Sequence, residues 1–186
     1  MEFLDCIRRR RSARSFLPVA VPTKAVLYCL DAARLAPSSL NSQPWKFIVV
    51  DDPQLKSRVA GCICNPLLQS NMQARQAPVL ILVVNALPDN ASPLLRTAVK
   101  KFGMSQYDIG FAVQSLCLAA TNAGLASCVM DTIRKKARLR ELLNIPPDKE
   151  ICLAVALGYP TGEEPPPQER KPLEEICSWN SFLREE

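Results

Sequence analysis

The sequence predicts one domain in which helices alternate with the four strands of a single sheet. Three observations carry that reading. Four strand-length apolar runs, at 45–50, 79–85, 127–130 and 151–157, are rich in β-branched or other apolar side chains and are mostly bounded by turn-forming residues. The segments between them repeat apolar residues at helical rather than alternating spacing. The length of 186 residues suits one hydrophobic core and one domain.

Taken in order, Phe3, Leu4 and Ile7 predict a short amphipathic helix over 2–11 that ends among arginines. Pro22 and Thr23 open a second helix, carried by Val26, Leu27, Leu30 and Ala33 to a stop at Pro37. Trp45 to Val50 is the first strand, and Pro53 suits the first turn of a helix over 53–63. Val79 to Asn85 is apolar on both faces, which predicts a central strand. Residues 86–106 predict a loop followed by a short helix. Asp108 to Ala123 is the longest helix and is apolar around most of its circumference, so it needs burial on several sides. In a chain this small a subunit interface is the simplest source of that burial, and a charge at Leu116 should then separate the subunits. Gly124 ends the helix, and the third strand, 127–130, follows. A helix over 137–143 stops at Asn144 and Pro146, and the fourth strand runs from Ile151 to Leu157. Pro160, Pro165, Pro166, Pro167 and Pro172 make 160–172 an extended arm, and a last short helix or turn covers 173–182.

Composition removes several classes of function. Hydrophobic residues make up 48% and charged residues 22%, values of an ordinary globular chain. No stretch approaches the roughly 20 apolar residues of a membrane-spanning helix, and the N-terminus has no apolar signal region, so a cytoplasmic protein is expected. With no histidine, Ser-His and Cys-His hydrolases and the common metal hydrolases are excluded. The eight cysteines lack zinc or iron–sulfur spacing and read as buried free thiols, so no metal is expected. A bound organic cofactor is the remaining source of reactivity. The net charge of +5 is concentrated in Arg8 to Arg11 and Arg14, but aromatic residues do not interleave, so nucleic acid is not the expected partner.

Two clusters carry candidate chemistry. Arg10-Arg11-Ser12-Ala13-Arg14 offers guanidinium groups and a hydroxyl, the set that grips a phosphate monoester. Alone it equally describes a solvated basic helix end. Pro37-Ser38-Ser39-Leu40-Asn41-Ser42-Gln43-Pro44-Trp45 is a polar loop between prolines, with donors and acceptors suited to a heteroaromatic ring edge. Alone it equally describes a turn. The first strand carries no Gly-x-Gly-x-x-Gly turn and no P-loop occurs, so phosphate is not held by a glycine loop.

Together the two clusters resemble the nitroreductase family, whose pattern is Arg-Arg-Ser-x-Arg-x-Phe followed by Pro-Ser-Ser-x-Asn-x-Gln-Pro-Trp. Ala77-Pro78, Ala123-Gly124-Leu125, and Leu157-Gly158-Tyr159-Pro160 before Arg170-Lys171-Pro172 extend the match along nearly the whole chain. The resemblance implies an α+β nitroreductase-like fold with a central, mainly antiparallel four-stranded sheet, and a C-terminal arm, 160–186, wrapping the partner of a homodimer. It implies FMN as cofactor, NAD(P)H as donor, and ping-pong hydride transfer through flavin N5 to a nitroaromatic, quinone or similar small acceptor. Carried over by position, Arg10, Arg11 and Ser12 would hold the FMN phosphate, with Arg14 near the pyrimidine side. Pro37, Ser38, Ser39, Asn41 and Gln43 would come from the other subunit. Asn71, or Gln69, would touch the ring, and the backbone of Val129, Met130 and Asp131 would face N5. Arg170, with Lys171, would close on the phosphate, and Phe102, Met104 and Tyr107 would line the acceptor pocket.

Three departures stand out. Ala126 replaces a frequent glycine, Gln168-Glu169 stands where basic residues are common, and 86–106 is short for a substrate lid. Alternatives on the same scaffold are a dehalogenase, a flavin-fragmenting enzyme, or an FMN-binding sensor or carrier without turnover.

Overall fold

A computed structural model describes residues 1–88, 90–162 and 168–182 of the chain. Its centre is a four-stranded sheet of order β1-β2-β4-β3, made of β1 (Trp45–Val50), β2 (Val79–Asn85), β3 (Ala126–Met130) and β4 (Glu150–Gly158). All three pairings are antiparallel, as the family resemblance implied. The alternation of helix and strand along the chain therefore does not make a parallel sheet. β2 lies inside because its run is apolar on both faces: Val79 to Val84 are all buried. A register shift between Val83 and Val84 leaves Cys152 of β4 as the extra residue opposite them.

Alternating side chains send each strand into two layers. Ile81, Val83, Val155 and Leu157 face α2 (Thr23–Arg34) and α6 (Met104–Asn122). Leu80, Leu82, Met130 and Ala154 face α3 (Pro53–Ile63) and α7 (Lys136–Leu142). α1 (Phe3–Arg9) lies against α6. Caps set several ends. Asp52 accepts from Leu55 N–H ahead of Pro53, and Ser92 accepts from Leu95 N–H ahead of Pro93.

Some boundaries differ from expectation. The second helix ends at Arg34, short of Pro37. The 86–106 segment holds a full helix, α5 (Pro93–Phe102), joined to α6 through Gly103 at φ 62°, so the longest helix starts four residues before Asp108. The short α4 (Gln73–Gln76) had no periodic signal, and the last helix, α8, is only Leu173–Ile176. Of the expected arm, 163–167 and 183–186 lie outside the described residues.

α6 buries Ile109, Ala112, Val113, Leu116 and Ala120 against its own sheet. Leu116 is 0% exposed, so a charge there would break the core within each subunit instead of separating the subunits. Tyr107 and Phe111, by contrast, form an exposed apolar stripe on the outer face.

One close approach binds three stretches of sequence together. A Cβ built on Gly158 would lie 2.5 Å from Pro78 Cδ and 3.0 Å from Phe16 Cδ1. Only glycine lets the end of β4 meet Pro78 and the segment after the arginine cluster.

Candidate functional site

The arginine segment lies along the outer edge of β3. Ser12 bridges to Ser127 in parallel, Ala13 N–H donates to Ser127 O at 3.0 Å, and Phe16 bridges to Pro160. Buried Ala13 and Phe16 anchor it while Ser12 and Arg14 stay exposed. Arg11 donates to the carbonyls of Arg8 and Arg10. Arg10 and Arg14 have no ion-pair partner among the described residues. Their field reaches the sheet. Burial pushes the Cys128 thiol pKa up, Gln73 hydrogen bonding and Arg14 oppose that rise, and Arg10 likewise opposes the rise at Cys117.

Because Ser127 turns its carbonyl outward to Ala13, strand alternation turns the backbone groups of Val129 to the same open edge. From Ser127 to Asp131 the strand advances about 13 Å at 3.3 Å per residue. The edge thus offers cations unpaired among the described residues near one end and the outward backbone N–H of Val129 toward the other, a span suited to a ligand with an anionic tail and a flat polar ring. Val129 is exposed, whereas the Met130 side chain is buried and, by the same alternation, its backbone groups turn toward Ala154 of β4 and not to the open edge. Asp131 accepts from Thr132 Oγ1 at 2.9 Å. Asn71, at φ 58°, donates to Thr132 O at 2.9 Å and so fixes its side chain beside the exit of β3. Gln69 is turned back to Pro66 O.

The Pro37–Gln43 loop stands elsewhere. It feeds β1, the opposite edge strand, so within one chain it is three strand spacings, about 14 Å, from β3. A residue missed in the sequence holds it. Ser39 N–H and Ser39 Oγ both donate to Asp108 Oδ1 at 3.1 Å, and Ser42 Oγ donates to Oδ2 at 3.5 Å. Asp108 is 2% exposed. Gln43 N–H donates to Ser38 Oγ at 3.0 Å, and Gln43 Nε2 to Asn41 Oδ1 at 3.2 Å. So constrained, Leu40, Asn41 and Gln43 take φ of 54°, 51° and 43°, a costly conformation for side-chain-bearing residues. A lone carboxylate in an apolar helix was the available sign of this clamp.

The remaining candidates are not brought together within one chain. Phe102 and Tyr107 are exposed around the Gly103 bend, and the cavity of about 460 Å³ nearby is lined by Asn85, Arg96, Gly103, Ser105, Gln106 and Glu150 rather than by them or Met104. Arg170 donates to Gln168 Oε1 at 3.2 Å and Lys171 lies 4.0 Å from Glu175. The arm begins beside the arginine segment, where the Ser15 and Thr161 hydroxyls are 3.0 Å apart. Its Trp179 and Phe182 are 86% and 95% exposed. Six of the eight cysteines are buried, and no group of metal-ligating side chains occurs among the described residues. No described helix is long and apolar enough to cross a membrane.

Comparison with known proteins agrees with this architecture. A putative NADH dehydrogenase/NAD(P)H nitroreductase of Archaeoglobus fulgidus is 31% identical, covering 88% of each chain. Iodotyrosine deiodinase 1 of Sus scrofa is 27% identical over 94% of this chain and 67% of its own length. The crystal structure of a nitroreductase family protein from Clostridium novyi NT superposes with a TM-score of 0.73 at 28% identity, covering 87% of both chains. The family pattern itself matches residues 7–159, and the chain belongs to the nitroreductase family.

Proposed function

We propose that the protein is an FMN-dependent oxidoreductase, acting as a cytoplasmic homodimer on small nitroaromatic, quinone or similar acceptors with NAD(P)H as donor. The observation that carries this reading is the pair of cations, Arg10 and Arg14, unpaired among the described residues beside the open edge of β3. FMN held there would supply reversible two-electron chemistry between the NAD(P)H donor and the acceptor.

The chain's own residues position and tune. Arg10, Arg11 and Ser12 provide charge-assisted bonds for a phosphate monoester. Arg14 places positive charge where a reduced ring gathers negative charge. The backbone of Val129 and Asp131, with Asn71, borders the ring. Ser38, Ser39, Asn41 and Gln43, between Pro37 and Pro44, reach it from the second subunit, since in their own subunit they occupy the far edge of the sheet. The exposed stripe of Tyr107 and Phe111 and the apolar arm supply surface for that association. Arg170 and Lys171 close on the phosphate in the dimer, and Phe102, Met104 and Tyr107 border the acceptor.

An absorbance spectrum of the purified protein, repeated after anaerobic addition of NADH and of NADPH, tests the reading. A flavin spectrum bleached by either donor is expected. A colourless protein that takes up no added FMN refutes it. The similarity to iodotyrosine deiodinase over 94% of the chain favours one second reading, reductive dehalogenation. Release of iodide from an iodophenol, with no turnover of nitroaromatics or quinones, would establish that reading instead.

A further inference from the structure

NADH and NADPH differ by one phosphate ester on the adenosine 2′-oxygen. Beside the exit of β3, two loops are joined in a way that bears on that difference. Asn71 Nδ2 donates to Thr132 O at 2.9 Å, and Lys135 N–H donates to Cys62 O at 3.0 Å. These bonds hold the 64–71 loop against 131–136.

The first loop is a closed turn. Asn65 and Ser70 exchange backbone bonds at 3.0 and 3.1 Å, and Asn65 Oδ1 accepts from Leu67 N–H at 3.2 Å. It presents Leu67 and Leu68 to solvent at 90% and 74% exposure. The second loop carries Arg134, Lys135 and Lys136, all exposed, and the exposed Arg58 stands one helical turn before Cys62 on α3, the residue whose carbonyl holds Lys135 N–H. Burial pushes the Cys62 thiol pKa up, while Lys135, Arg138 and Arg58 each pull against that rise. Arg138 is paired with Glu141, but Arg58, Arg134, Lys135 and Lys136 have no ion-pair partner among the described residues. The acids on these elements are Asp131, bonded to Thr132, and Glu141. Residues 53–78 contain Lys56, Arg58 and Arg75 and no acid.

We propose that Arg134, Lys135 and Lys136, with Arg58 behind them, bind the 2′-phosphate of NADPH while Leu67 and Leu68 support its adenine, so that the protein selects NADPH over NADH. The inference rests on the donor role given under Proposed function. A monoester phosphate brings roughly −1.5 to −2 charges, which matches cations that otherwise repel one another. The apolar pair offers a base an exposed apolar surface on the loop bonded to the one that carries the cations. The patch adjoins Asp131, where the β3 edge ends, so a donor reaching that edge can extend across it.

The test uses the FMN-loaded protein and two probes, 2′,5′-ADP and 5′-AMP, by titration calorimetry at low salt. 2′,5′-ADP should bind at least tenfold tighter, and the preference should shrink with added salt. Arg134→Gln with Lys135→Gln should abolish the preference and raise KM for NADPH about tenfold to a hundredfold, the worth of one or two charged hydrogen bonds. KM for NADH and flavin content should stay unchanged. Equal binding of the two probes by the unaltered protein overturns the proposal, as does a double variant that keeps its NADPH preference. Binding of polyglutamate without 2′,5′-ADP also overturns it and assigns the patch to an acidic protein. Selective 2′,5′-ADP binding without bleaching by either donor upholds the phosphate site while refuting the donor role on which it was built.

Discussion

Replacing Asp108 with alanine removes a buried carboxylate that accepts two bonds at 3.1 Å from Ser39 and one at 3.5 Å from Ser42. A hydrogen bond to a charged group contributes about 1.5–3 kcal/mol, and the 3.5 Å contact is at the limit of a bond and counts little. Two full bonds therefore give a loss of about 3–6 kcal/mol, with the Ser39 amide left unpartnered. For a chain of this size that lowers Tm by roughly 6–24 °C. The loop itself should also relax. Leu40, at φ 54°, gains about 1–2 kcal/mol by leaving the left-handed region once nothing holds it there. Ser38, Ser39 and Asn41 then lose their positions, and flavin should fall away with them. Asp108→Asn keeps an oxygen for Ser39 and should lose only about 1 kcal/mol. Calorimetric unfolding, with flavin content read by absorbance after gel filtration, measures both effects. An alanine variant with Tm within about 2 °C of the unaltered protein and full flavin would refute the clamp.

Four further outcomes are expected. Gly158→Ala drives a methyl group into Pro78 and Phe16 and should cost about 1–3 kcal/mol in denaturant unfolding. Arg10→Ala with Ser12→Ala should release FMN on dialysis while leaving the far-ultraviolet circular dichroism unchanged. Phe111→Glu, on the exposed stripe, should give a folded monomer that has lost flavin by light scattering and absorbance, whereas Leu116→Glu should unfold the chain. Burial pushes the Cys29 thiol from 9.0 up to about 11, aided by Cys117. The folded state thus favours the protonated thiol, and this contribution is complete below pH 9 and lost as pH climbs toward 11. Denaturant midpoints should fall across that window, and at pH 8 the exposed Cys177 should be the first thiol to react with Ellman's reagent.

What the sequence determined alone was mostly local. Strands β1 and β2 and helix α3 stand where the sequence placed them, because a strand-length apolar or β-branched run and a first-turn proline are local signals. α4 was not legible, since a single turn is too short to show a period. The Pro37–Gln43 loop was recognisable by its residue types, but its shape was not, because the group that shapes it is Asp108, 69 residues after Ser39. Antiparallel pairing came through resemblance rather than periodicity, and strand order was not legible, since burial alternation does not record which edge meets which. Only the tertiary structure decided that the arginine segment and the serine–asparagine loop occupy opposite edges of one sheet. It alone joined Leu67 and Leu68 to cations more than 60 residues away, because the Asn71–Thr132 and Cys62–Lys135 bonds are made between elements that only packing brings together.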